Sequence, residues 1–176
     1  GVGGNPMLRF GNGTYREFYD LDHVKTETEY KLGLKDGAYK SFFFNNKVRQ
    51  SGNFVKGVKD GEWKEFYSSG ELKSRFNYKN GVLNGPCSDK FNPGKPNYEG
   101  NYENAKKQGK WTWYQGMSNN IEMTGAFAND LQQGEWLYYY PDGKLEYKGE
   151  YKSGEKDGEW FFYFKNGKME KEGVYK

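Results

Sequence analysis

Seven glycines recur along this chain at an almost constant interval. They are Gly13, Gly37, Gly61, Gly85, Gly109, Gly134 and Gly158, spaced 24, 24, 24, 24, 25 and 24 residues apart. A fixed period in this range marks a tandem array in which each unit is one supersecondary element that buries its apolar face only against its neighbours. The period therefore constrains the fold more than any local motif does.

The residues around each glycine define the unit. Counting that glycine as position 1, position 3 holds Tyr15, Tyr39, Trp63, Cys87, Trp111, Trp136 and Trp160, and position 18 is aromatic in every unit. Positions 6 and 7 are aromatic in six units each, so four positions account for 25 of the 34 aromatic residues. Glycine concentrates in the same way, with 20 of 25 at positions 1, 10, 16 and 21. The low apolar content of 34% would suggest a poorly folded chain. Its periodic placement says instead that aromatic rings are the core material.

Each unit reads as a β-hairpin. Positions 2–7 mix aromatic and charged residues with strand propensity. Positions 8–10 carry turn chemistry, as in Pro141-Asp142-Gly143 and Lys165-Asn166-Gly167. Positions 11–19 form the returning strand, and a second turn such as Lys79-Asn80-Gly81 leads into the next unit. The single 25-residue interval is read as one extra residue in the Gly116–Asn120 turn. Strand alternation puts positions 3, 5 and 7 on one face, with 12, 16 and 18 together on the returning strand. The glycine at position 16 leaves space for a ring to lie over the backbone.

The expected fold is all-β: an elongated, twisted, single antiparallel sheet of about seven tandem 24-residue hairpins. A segment or cap over residues 1–12, including Met7–Phe10, precedes one repeat domain over 13–176. Its units are 13–36, 37–60, 61–84, 85–108, 109–133, 134–157 and 158–176. Unit 85–108 departs most, with Cys87 at position 3, three of the five prolines, and Pro96 at position 12. It reads either as a drifted repeat with a local bulge or as a bend or docking notch.

The pattern Gly-x-Trp-x-x-(Phe/Tyr)-(Tyr/Phe)-x-x-Gly-x-Leu, followed by Gly-x-Tyr and a glycine-bearing turn, resembles MORN repeats over about residues 13–176. It is most similar to their bacterial variant, whose members include antitoxins. The resemblance implies a curved sheet of hairpins with a groove along one face, and a scaffold or binding role in place of catalysis. Membrane-lipid binding is often proposed for such proteins.

The residues themselves narrow the chemistry. With one cysteine, Cys87, and one histidine, His23, neither a disulfide framework nor a histidine-based triad is expected. Glu62, Glu135 and Glu159 recur at position 2 as a surface row, unlike the paired carboxylates of a glycosidase. No catalytic residue, metal or cofactor is expected. The candidate binding face is the aromatic row Trp63, Tyr67, Trp111, Trp136, Tyr140, Trp160 and Phe164, to which a protein partner would dock. Self-association through terminal strands and carbohydrate binding on aromatic platforms are the alternatives. A net charge of +3 without a basic cluster disfavours nucleic acid, and the interleaved lysines and glutamates give no polybasic run for a membrane surface. No apolar run approaches the ~20 residues of a spanning helix. The start Gly1-Val2-Gly3-Gly4 leaves the compartment open between the cytoplasm and export after loss of an upstream leader.

Overall fold

A computed structural model describes residues 11–116 and 118–176. Every regular element among them is a β-strand, and no helix is long and apolar enough to cross a membrane. The expected cap at Met7–Phe10 lies outside the described residues. The chain divides into two compact units after Val82. The first contains β1 (Gly13–Phe18), β2 (Val24–Lys31), β3 (Leu34–Phe42), β4 (Val48–Val55), β5 (Val58–Phe66) and β6 (Leu72–Lys79), each paired antiparallel with the next. A two-residue strand, β7 (Val82–Leu83), follows. The second unit contains β8 (Gly85–Asn92), β9 (Lys95–Glu103), the short β10 (Lys106–Lys107), β11 (Gly109–Tyr114), β12 (Ile121–Ala128), β13 (Leu131–Tyr139), β14 (Leu145–Lys152), β15 (Glu155–Tyr163) and β16 (Met169–Tyr175). These too pair antiparallel in chain order, with β10 alongside β9.

Two kinds of turn alternate. Successive hairpins are joined by two-residue turns in which both residues have positive φ, as at Lys56 (48°) and Gly57 (89°) or Asn80 (50°) and Gly81 (83°). That geometry matches the right-handed twist of paired strands. Within a hairpin the turn is one residue longer: Gly143 N–H donates to Tyr140 O and Tyr140 N–H to Lys144 O, both at 2.8 Å. The 25-residue unit keeps this plan with one extra residue, since Gln115 N–H reaches Asn120 O instead.

Each hairpin also carries a β-bulge that repetition alone does not disclose. Tyr138 pairs with Tyr147, but Tyr139 pairs with Leu145, so Glu146 has no opposite number. The extra residue carries everything before it to the other face of the sheet. Position 12 therefore lies opposite positions 16 and 18, which corrects the simple alternation. Position 14 takes its place on the tryptophan face. Hairpin β8–β9 is the irregular one, with two register shifts where its neighbours have one, and Pro96 pairs with Lys90 at the disturbance.

Candidate functional site

The tryptophan face begins with a glycine. Gly125, Gly149, Gly100 and Gly52 lie flat beneath the indoles of Trp136, Trp160, Trp111 and Trp63, each contributed by the following hairpin. A Cβ on any of them would sit 2.1–2.2 Å from an indole carbon. The indole N–H then donates to the carbonyl one residue beyond the glycine, at 3.1–3.2 Å: Asn53, Asn101, Ala126 and Glu150. Position 18 closes the ring edge-on, as Phe127 does for Trp136 at 5.1 Å. Lysines cover some of these rings, with Lys156 Nζ 4.1 Å from the Trp160 centroid and Lys59 Nζ 4.2 Å from that of Trp63.

This packing corrects the expected aromatic platform. Trp63, Trp111, Trp136 and Trp160 retain only 4%, 1%, 0% and 0% exposure, so they form the core and offer no ring face to a sugar or a peptide. Alternation along a strand assigns a face but not a depth. The remaining candidates stand differently. Phe164 is exposed, and Tyr140 is half-buried, its hydroxyl donating to Tyr163 O of the next hairpin at 2.8 Å. Tyr67 lines an open groove.

That groove lies in the first unit, with a volume of about 590 Å³. Its aromatic lining comprises Tyr19, Tyr39, Phe43, Phe66 and Tyr67. The reason it is open lies at positions 5 and 14, which sequence reasoning passed over. In the first unit the occupants are Glu17, Ser41, Glu65, Thr26, Gln50 and Ser74, all polar and none aromatic. In the second unit five of the same eight slots hold aromatics, Trp113, Tyr138, Phe162, Tyr98 and Tyr147, whose rings cover much of the face. The other three hold Asp89, Met123 and Lys171. Trp113 lies 6.0 Å from Trp136, Tyr138 stacks on Tyr147 at 4.2 Å, and Tyr147 on Phe162 at 5.6 Å. The signal was present as a contrast between units, polar against mostly aromatic, at positions whose average is uninformative.

Burial raises several of these phenols. Tyr98 is pushed up to about 12 by burial, with the Asp89 charge adding to it. Tyr114 is likewise pushed up to about 12 by burial and by its 2.8 Å hydrogen bond to Glu99. Unfolded tyrosines ionise near pH 10. The stability these groups contribute is therefore complete below about pH 10 and is lost as pH rises toward 12, where the unfolded chain gives up its protons first. The melting temperature followed by circular dichroism is expected to fall through that window, and Tyr98→Phe with Tyr114→Phe should flatten the slope. A melting temperature constant to about pH 12 would contradict the assignment.

The remaining chemical groups do not gather into a second site. His23 Nδ1 lies 2.7 Å from Asp20 Oδ1, and this hydrogen bond holds the Asp20 carboxyl below the usual carboxylate range. The His23 ring stacks on Phe44 at 4.1 Å. Cys87 is buried and forms no disulfide. In the position-2 row, Glu62 and Glu135 pair with Lys64 and Lys148 at 2.7 and 3.3 Å. Among the described residues no three histidine, cysteine or acidic side chains converge as metal ligands.

Comparison with protein families agrees with this geometry. Residues 35–56, 59–80, 132–153 and 156–176 match the MORN repeat variant. The four segments correspond to the hairpins β3–β4, β5–β6, β13–β14 and β15–β16. No curated protein matches the chain. With four hairpins of this variant on the sheet just described, the chain is a MORN-repeat protein.

Proposed function

We infer that this chain is a non-enzymatic scaffold that takes a protein partner along the aromatic-lined face of its first unit. The observation that carries the reading is the groove beside Tyr19, Tyr39, Phe43 and Tyr67, where positions 5 and 14 carry polar residues and no ring, whereas the second unit has rings at five of its eight such positions. Tyrosine and phenylalanine bury large areas at little cost in rotamer freedom and are favoured anchors for a partner. Tyr39 in the groove stacks on the buried Trp63 at 5.4 Å, which holds that ring in place before a partner arrives. MORN repeats are generally associated with scaffolds that bind proteins or membranes, and such scaffolds are generally non-catalytic. A narrower form of the reading, suggested by the resemblance to the bacterial variant, is a toxin-neutralising or immunity-type protein.

The test is affinity capture from the source cells with the wild-type chain and with a Phe43→Ala/Tyr67→Ala variant of unchanged melting temperature. A protein enriched by the wild type and depleted about ten-fold or more by the variant is the expected result. If every enriched protein binds both baits equally, the groove is not the docking site and the reading falls. For the narrower form, the captured partner expressed alone should arrest growth, and co-expression of this chain should relieve it.

A further inference from the structure

The residue left over at each hairpin bulge has a pattern of its own. In the first unit the register passes from Glu17–Thr26 to Phe18–Val24, from Ser41–Gln50 to Phe42–Val48, and from Glu65–Ser74 to Phe66–Leu72. The residues skipped are Lys25, Arg49 and Lys73, three cations in equivalent places. All three are exposed and all three line the groove. At the same bulge in the second unit the residues are Asn97, Glu122, Glu146 and Glu170. The basic row belongs to the open face and the acidic row to the filled one.

Little in the groove neutralises the basic row. Its one lining carboxylate, Glu65, accepts a hydrogen bond from Gln50 at 3.2 Å and lies 4.0 Å from Lys73. Neighbouring Glu17 accepts the Thr26 hydroxyl at 2.9 Å. Lys25 Nζ stands 5.9 Å from the Tyr19 ring. Among the described residues neither Lys25 nor Arg49 forms an ion pair with a carboxylate.

The spacing selects the shape of a ligand. The cations repeat once per hairpin, hence once per two strands, and adjacent strands lie about 4.8 Å apart, giving a step of about 10 Å. A polyproline II chain rises about 3.1 Å per residue with three residues per turn, so every third side chain returns to one side after about 9 Å. Aromatic grooves are the usual hosts for such chains, because the preformed helix loses little entropy on docking. We propose that the groove of the first unit binds an acidic, extended polypeptide segment whose carboxylates recur every third residue opposite Lys25, Arg49 and Lys73. Tyr19, Tyr39, Phe43 and Tyr67 take the apolar residues between them. This rests on the scaffold reading above and names the chemistry of its partner. Cations in single file along a groove, flanked by rings, suit one chain better than a membrane plane.

The probe is a fluorescein-labelled peptide of Glu-Pro-Pro triplets, titrated with the whole chain and followed by anisotropy at about 50 mM salt, where screening is weak. Binding should weaken at least about ten-fold in Arg49→Glu, which reverses the central charge. It should change less than about two-fold in Glu146→Lys, at the equivalent bulge of the other unit. A peptide of the same composition with its glutamates gathered at one end should bind several-fold more weakly. Should Arg49→Glu lower the melting temperature, Lys25→Glu/Lys73→Glu, at the two exposed flanking positions, carries the same expectation. Equal binding of the two peptides overturns the proposal, as does indifference to both charge reversals. So does capture of phosphatidylserine vesicles that depends on Arg49 while the triplet peptide fails to bind. If a captured cellular partner depends on Phe43 and Tyr67 but tolerates Arg49→Glu, the scaffold reading stands and the acidic segment does not.

Discussion

Trp136→Ala is expected to lower the free energy of unfolding by about 3–5 kcal/mol, a large share of the ~5–15 kcal/mol available to an ordinary domain. Trp136 is completely buried, and three kinds of contact disappear with it. Its face leaves the backbone of Gly125, its N–H leaves Ala126 O, and its edges leave Phe127 at 5.1 Å and Tyr151 at 5.9 Å. Nothing nearby can collapse into the void, because the floor is a glycine and the walls are rings held by their own neighbours. Urea unfolding followed by circular dichroism measures the loss. A cost below about 1 kcal/mol would mean that the indole is peripheral to the fold.

Gly125→Ala should approach the same effect by overfilling the site. The new Cβ would stand 2.2 Å from an indole carbon, so either the strand or Trp136 must move. Overpacking typically costs about 1–3 kcal/mol, and the upper end is expected here because the ring cannot slide without losing its hydrogen bond and both edge contacts. Gly173 provides the internal control. It holds the same repeat position, yet a Cβ there meets nothing within 4 Å, so Gly173→Ala should change stability by less than about 1 kcal/mol. Combining Gly125→Ala with Trp136→Leu should cost less than the two single changes added together, since the smaller side chain relieves the clash. Additive costs, or equal costs for the two glycines, would show that the close approach of ring and backbone does not control stability.

These two sites also show what the sequence disclosed. The space above the position-16 glycines was legible, since a residue without a side chain amid periodic aromatics implies a ring over the backbone. The two turn types and the extra residue before Asn120 were legible too, because left-handed backbone favours glycine, asparagine and aspartate, and each turn carries at least one of them. The depth of the tryptophans was not: alternation tells Trp160 from Phe161 by side but cannot say which side is sealed. Nor was the bulge at Glu146, which leaves no mark beyond a change of face for Leu145. The groove escaped for a further reason. A repeat is recognised by what its units share, whereas Ser41 and Tyr138, or Arg49 and Glu146, matter through what they do not share.

The indole that seals each of these glycines always comes from the hairpin that follows it, never from the hairpin that contains it. This gives the core a direction. As the chain emerges during synthesis, a hairpin can form its ladder at once but keeps a bare strip of backbone until the next tryptophan arrives. Closure thus trails the growing end by one hairpin. Loss of hairpin β15–β16 would uncover the Gly149 seat on the one before it, while loss of β1–β4 would leave the Trp63 indole without its Gly52 floor. The same number of residues removed from opposite ends therefore damages the array in different ways.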